Sequence, residues 1–426
     1  MPLHLKKSTK KKIRSKITDF SAEIRRNKYR PGLFHHFDWF LFLLVIGISL
    51  FGVVAIFAAT ATAQTEEISG FLNILSANST YYAGLQLLWM VIGVAAMAAF
   101  LVFDYHLFGT YSMLIYWLNL AVLALVLTVE AGRGGMSAFF NWSSSSSSLG
   151  ERGFQPSEFG KVAMIIALAQ NFSKRKEPIH NIKELLPSMG FVLVPVLLVL
   201  AQPDVGTAIV YLVIYALLLW VSGTDLKLIA GVLAVAVCAL VPIWYYLNTA
   251  SSSFRLTRIL MWLNPSDYAD DARQVINGQI AIGSGGLFGN GVTSLGSFAS
   301  LGFIPDDHTD FCFAIVCEAF GFVGAVALIA AFTLFLLRLL RHAYKTEDVF
   351  GSYIVMGVFA MFLFHILENI CMILGILPVT GIPLSFISYG GSNYLTSMMA
   401  LGLVLNVVMR SGYNKQLGDN SYSRSF

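Results

Sequence analysis

Apolar runs of about 20 residues recur along the whole chain, and each is long enough to cross the hydrocarbon core of a bilayer as a helix. The pattern predicts ten spans, at about 39–61, 82–102, 109–130, 157–171, 186–202, 205–222, 227–247, 311–337, 351–374 and 389–409. The fourth is the shortest and carries Glu158 and Lys161 at its start. The expected fold is therefore an all-α polytopic membrane protein with one ten-span domain over 39–411. A basic segment, 1–38, precedes it and a short tail, 412–426, follows. Between spans seven and eight lies a large polar loop, 248–310. No internal repeat of the inverted-transporter kind is visible.

Composition agrees with this pattern. The 426 residues are 56% hydrophobic and only 12% charged, with mean hydropathy +0.70. A soluble domain carries about a quarter charged residues, so no soluble domain of useful size is expected. The four cysteines, Cys238, Cys312, Cys317 and Cys371, lie in or beside apolar runs and form no CxxC pair, so they read as small core residues. Nothing at the N-terminus resembles a cleaved signal, and the first apolar run is long enough to be a helix that stays.

Placement of the basic residues orients the spans. With the N-terminus cytoplasmic, about 22 of the 28 Lys and Arg fall inside. Arg133, Arg152, Arg255, Arg258 and Arg273 remain outside, with Lys161 inside the membrane and no lysine in any outer loop. Both termini are then cytoplasmic, and the polar segments 131–157, 248–310 and 376–392 all face outward. Arginine without lysine on that face suits bidentate recognition of phosphate or carboxylate.

The polar segments hold the candidate chemistry. Gln155-Pro-Ser-Glu-Phe-Gly-Lys161 opens span four, with ordinary helix-entry signals in Pro156 and Ser157. Glu158 and Lys161 are three apart and share a helix face; they are either a neutralised pair joining two helices or a functional pair. Asp204, in Gln202-Pro-Asp-Val-Gly-Thr207, is either part of a turn or at the rim of an outer cavity. Arg255 and Arg258 lie on a short interfacial helix and could hold a diphosphate or lipid headgroups. The acidic turn Asp267, Asp270, Asp271 faces these arginines, as an acid–base or metal site requires. Ile280–Gly291 is glycine-rich but lacks the ending of a phosphate loop, and reads as a tight turn with close backbone packing. His308 and Asp310 begin span eight. Glu318, about two turns on, needs a partner if buried. The stretch 377–392, with two prolines and three glycines, contains Ser385 and Ser388. Irregular backbone at membrane depth survives only inside protein or along a wet cavity, so this stretch is expected to wall the same cavity as the 248–310 loop.

Taken in order, FDWFLF (38–43), QPSEFGK (155–161), QPDVGTA (202–208), RLTRILMWLNP (255–265), IAIGSGGLFGNG (280–291), PDDHTDFCFAIVCEAFGFVGA (305–325) and LPVTGIPLSFISYGGS (377–392) resemble the SEDS family (shape, elongation, division and sporulation). The resemblance covers the chain from first span to last. It implies a peptidoglycan glycan-strand polymerase acting on lipid II, the disaccharide-peptide unit on undecaprenyl diphosphate, at the outer leaflet of the bacterial cytoplasmic membrane. It also implies a class B penicillin-binding protein as crosslinking partner, other elongasome or divisome membrane proteins nearby, and no nucleic acid. The elongation (RodA-like) branch is weakly favoured over the division (FtsW-like) branch. By resemblance the catalytic aspartate follows the Asn-Pro of the large loop, and Glu158 and Lys161 match the acid and base of the Gln-Pro-Ser-Glu motif. The stretch NPSDYADDARQ is one residue shorter than the family pattern, with Arg273 where a tyrosine stands. Asp270 is preferred as general base, with Asp271 and Asp267 open. The serine run 143–148 after Trp142 is a second departure. Expected substrate-binding residues are Glu158, Lys161, Arg255, Arg258, Asp204, His308, Asp310, Ser385 and Ser388. A divalent cation, Mg2+ or Mn2+, could assist the diphosphate leaving group; no organic cofactor is expected. Rival readings are a lipid II flippase and a non-catalytic scaffold.

Overall fold

A computed structural model describes residues 33–60, 78–132, 155–202, 204–232, 234, 254–265, 267–294, 296–304 and 308–422. Every regular element among them is helical. After a short 3-10 turn, Leu33–His36, come α1 (Trp39–Thr60), α2 (Asn78–Val102), α3 (Tyr105–Thr110) and α4 (Ser112–Gly132). Then follow α5 (Pro156–Ser173), α6 (Ile182–Ala201), α7 (Val205–Val221), α8 (Phe254–Leu263) and α9 (Ala269–Ser284). The last three are α10 (Cys312–Lys345), α11 (Val349–Ile373) and α12 (Gly391–Tyr422).

Among the described residues, 6 helices are long and apolar enough to cross a membrane, and Ser112–Thr128 and Val205–Val221 are shorter apolar helices. The polytopic reading holds, with adjusted boundaries. Helix α10 runs to Lys345, past the predicted end at 337, because Arg338 and Arg341 end the apolar run without ending the helix; long basic side chains are good helix formers and suit a helix C-terminus. The short helix α3 has no apolar run to announce it. Most of predicted span seven lies outside the described residues, as do Cys238, Arg133, Arg152, the serine run and Asp306–Asp307.

The chain alternates between two ends of the bundle. Short turns join α2 to α4, α5 to α6 and α10 to α11 at one end; the other, loop-rich end carries α8, α9 and segment 374–390. Helices α5 and α11 are central: α5 packs against α3, α4, α6, α7, α11 and α12, and α11 against α5, α7, α9, α10 and α12. This placement explains how α5 carries charge, since its neighbours remove Glu158 and Lys161 from lipid. Close packing on α5 needs Gly160: a Cβ there would meet the Tyr211 hydroxyl and, at 2.9 Å, Asn119 Oδ1.

At the loop-rich end, segment 286–291 lies backbone-to-backbone on a break in α10 at Gly321, where φ is 67°. Asn290 N donates to Glu318 O at 2.9 Å and Gly291 N to Ala319 O at 3.0 Å, while Phe322 N donates to Gly286 O at 2.9 Å. A Cβ at Gly289 or Gly321 would enter the facing backbone. The glycine-rich stretch is thus a packing device, as its sequence suggests. Glu318 supplies the second clamp: its carboxylate accepts from Phe298 N at 2.6 Å and from Ala299 N at 3.3 Å.

At the turn end, Asp38 ties α1 to α10. Its carboxylate accepts from Leu41 N at 3.1 Å, from Arg338 Nε at 2.7 Å and meets His342 Nε2 at 2.5 Å. Burial alone would raise its pKa; hydrogen bonds from His342 and Arg338 outweigh burial and hold it well below the usual carboxylate range. The clamp is complete at neutral pH, and its stabilisation is lost as pH falls from the ordinary carboxylate value of about 4 toward the depressed one. Asp38→Ala is expected to cost about 2–3 kcal/mol at pH 7, read as a lower melting temperature of the purified protein, with the difference from wild type shrinking in acid. Gly160→Ala is expected to cost about 1–3 kcal/mol. Adding Tyr211→Phe removes the clashing hydroxyl, so the double variant should lose less than the sum of the single ones; strict additivity would refute the clash.

Candidate active site

Helix α5 opens with Gln155 as N-cap and Pro156 in its first turn. Glu158 and Lys161 then fall on one face, and Lys161 Nζ donates to Glu158 Oε1 at 2.7 Å. The pair does not end there. Lys161 Nζ lies 3.1 Å from His365 Nε2 on α11, and His365 Nδ1 lies 3.1 Å from Ser385 Oγ. All four are buried: Glu158 is 4% exposed, Lys161 1%, His365 1% and Ser385 0%.

Asp204 is the N-cap of α7, its Oδ1 accepting from Thr207 N at 3.0 Å. Its Oδ2 accepts from Gln155 Nε2 at 2.8 Å and Ser157 Oγ at 3.1 Å. The carboxylate thus joins the starts of α5 and α7, and Gln155 N, donating to Ser392 Oγ at 3.2 Å, links them to the start of α12. The geometry gives Asp204 a capping and stapling part within the expected turn.

Arg258 on α8 and Asp310, just before α10, meet across the 379–381 backbone. Arg258 Nη1 donates to Val379 O at 3.3 Å. A Cβ at Gly381 would stand 3.3 Å from Asp310 Oδ2 and 3.8 Å from Arg258 Nη1. Burial lowers the pKa of Arg258, and the charge of Asp310 opposes that shift, so the guanidinium stays protonated. Helix α11 closes the far side. Thr380 Oγ1 donates to Glu368, and Asn369 Nδ2 donates to both Asp310 O and Ile382 O at 2.8 Å. A small cavity of about 90 Å³ opens between α8, α9 and 375–379, lined by Arg258, Trp262, Pro265, Gln279 and Val379.

Ser388 closes its own turn, its Oγ accepting from Leu384 N at 2.9 Å. Between the two serines Phe386 holds φ 66°, a conformation that costs a non-glycine residue about 1–3 kcal/mol. Its buried ring, packed against Phe335, Phe362 and Tyr394, offsets that cost. His308 packs at a tilt against Tyr82, centroids 4.7 Å apart, and against Tyr389 at 5.7 Å; Tyr389 N donates to His308 O.

The structure thus brings Arg258 and Asp310 to one site, and Ser385 to the buried pair. Asp270 and Asp271 fall in the first turn of α9 and Asp267 lies before it, exposed, all at the same loop-rich end. Arg255 is on α8, one turn before Arg258. The side chains of Arg255, Asp270 and Asp271 are outside the described residues. Among the described residues no group of three His, Cys, Asp or Glu is placed to hold a metal. Sequence analysis singles out none of His365, Glu368 and Asn369. Their signal is three polar residues at i, i+3 and i+4 inside an otherwise apolar helix.

Comparison with known proteins gives the family. Residues 38–413 match the family of cell cycle proteins FtsW, RodA and SpoVE. The chain is 30% identical over 389 residues to the probable peptidoglycan glycosyltransferase FtsW of Trichlorobacter lovleyi, covering 90% of this chain and 96% of that one. It is 30% identical over 445 residues to the peptidoglycan glycosyltransferase RodA of Treponema pallidum, covering 88% and 98%. Its fold superposes with TM-score 0.70 and 26% identity, over 88% of this chain and 98% of the other, on a chain from a structure described as showing structural coordination of polymerization and crosslinking by a peptidoglycan synthase complex. The chain belongs to the FtsW, RodA and SpoVE family.

Proposed function

We propose that this protein is a peptidoglycan glycosyltransferase that polymerises glycan strands from lipid II. The observation that carries the reading is the meeting of Arg258 and Asp310 across Gly381, at the end of the bundle that also holds Asp267, Asp270 and Asp271. The distribution of Lys and Arg supports a topology with that end on the outer face of the cytoplasmic membrane and both termini inside.

In the reaction the 4-hydroxyl oxygen of one sugar unit attacks the anomeric carbon of another. The C–O bond to the diphosphate breaks and the lipid diphosphate leaves with the electron pair. The hydroxyl proton passes to a carboxylate, Asp270 by preference, with Asp271 or Asp267 as alternatives. Arg258, with Arg255 one turn before it, stabilises the charge developing on the diphosphate. A Mg2+ or Mn2+ ion, for which Asp267, Asp270 and Asp271 are the candidate ligands, would supply further neutralisation of the diphosphate charge. A single attack inverts an α-linked donor into a β-linked strand. An apolar cleft of about 480 Å³ between α2, α3, α4 and α5, lined by Phe100, Phe108, Leu118, Phe159 and Ile166, suits the polyprenyl tail. The neighbouring synthase complex supports a class B penicillin-binding protein as partner that crosslinks the product.

The test is polymerisation of labelled lipid II by the purified protein, alone and with a candidate class B partner, with and without Mg2+ or Mn2+. Wild type should give polymer. One of Asp270→Asn, Asp271→Asn and Asp267→Asn should lower the rate by about 100-fold or more, the usual contribution of a general base. If all three polymerise at the wild-type rate, the base assignment is wrong. A wild type inert under every condition would leave translocation of lipid II, or a scaffold role, as the activity to measure.

A further inference from the structure

The buried chain from Glu158 to Ser385 has a direction that its chemistry fixes. An ammonium group has donors and no acceptor. With Lys161 Nζ at 3.1 Å, His365 Nε2 must therefore be the acceptor. The ring proton then sits on Nδ1 and is donated to Ser385 Oγ. The same ammonium donates to Glu158 Oε1 at 2.7 Å, while Glu158 Oε2 is buried and accepts no hydrogen bond among the described residues. Removing two charges from water costs several kcal/mol each, and their attraction repays this only when the remaining donors are satisfied. His365 accepts a second hydrogen bond from Lys161, and it does so from a different helix, 204 residues along the chain.

The position of His365 has a second consequence. Glu368 and Asn369, one turn along the same helix, hold Thr380 and Ile382. The segment that His365 reaches through Ser385 is thus the one whose Gly381 faces both Arg258 and Asp310. We infer that His365 is a positioning residue for glycan transfer, which aims the Lys161 ammonium at Glu158 and couples that pair, through Ser385, to the 379–388 turn beside the Arg258–Asp310 site. This rests on the polymerase reading. The bland alternative is a core histidine that only fills space, and it predicts that shape alone matters at this position.

The experiment uses the full-length protein and labelled lipid II. His365→Gln keeps an acceptor and a donor; His365→Leu keeps bulk and loses both. Ser385→Ala breaks the link to the turn with the smallest change of shape. The glutamine variant should stay within about threefold of wild-type kcat. The leucine variant should lose at least tenfold in kcat, with KM within twofold, at a temperature where melting shows it folded. Ser385→Ala should fall between them. Leucine equal to wild type, glutamine as poor as leucine, or Ser385→Ala at the full wild-type rate would each overturn the inference. Should the leucine variant not fold, 15N spectra of histidine-labelled wild type decide, with His365→Gln as the assignment control. A neutral ring protonated on Nδ1 supports the chain; an Nε2-protonated ring or an imidazolium overturns it. A wild type that makes no polymer refutes the polymerase reading, whereas the spectrum tests the geometry of His365 independently.

Discussion

The constraint on which the rest depends is an irregular length of backbone, 377–390, set among membrane helices. A regular helix satisfies its own amides, but this segment cannot, and each unsatisfied group away from water costs a few kcal/mol. Helix α11 meets the need with a polar face inside an apolar helix. Asn369 donates to the backbone carbonyl of Ile382 and to that of Asp310 beside the segment, while Glu368 and His365 hold its side chains, Thr380 and Ser385. Ser388 and Leu384 close the rest of the turn between themselves. The positive φ of Phe386 is tolerable because its ring is clamped by three others. Once the turn is fixed in this way, Gly381 can bring Arg258 and Asp310 together without a side chain between them.

The same logic explains why α5 lies at the centre. A buried ion pair is a weak stabiliser, and well-packed apolar side chains of similar volume usually do as well or better. Glu158 and Lys161 are therefore poorly explained as structural glue. Their neighbours look arranged to tolerate them: Tyr211 donates to Ser157 O at 2.8 Å, Asp204 holds Ser157 and Gln155, and Gly160 yields room for the Tyr211 hydroxyl. The start of α5 is over-determined by hydrogen bonds from three elements, which is how a strained or costly group is kept in one geometry.

Much of this architecture was legible in the sequence, and the boundary of legibility is physical. Lipid selects long apolar runs, so the spans could be read without knowing their partners. Spacing gave the Glu158–Lys161 pair, because i, i+3 neighbours share a face wherever the helix lies. Proline, aspartate and glycine around Asp204 announced a turn, and the structure adds that the carboxylate caps α7. Long-range partners leave no such mark. Nothing near Lys161 in sequence points to His365, and the donors to Glu318 are backbone amides, which nearly every residue has. The acidic turn stays open for a third reason. Its spacing is one residue short of the pattern it resembles, and the backbone puts Asp270 and Asp271 in the same first turn of α9, so neither spacing nor helix position separates them.

Hanging three contacts on one turn of helix has a mechanical result. His365 and Asn369 are four residues apart, about 6 Å along the axis. A helix does not stretch over that distance without breaking its own hydrogen bonds. Displacing the turn at Thr380 or Ile382 must therefore load the link at Ser385 as well, and through His365 the ammonium of Lys161. The links at Thr380, Ile382 and Ser385 are then not independent of one another. Here that dependence comes from packing irregular backbone against a single stiff helix, and it follows from the need to satisfy that backbone in the first place.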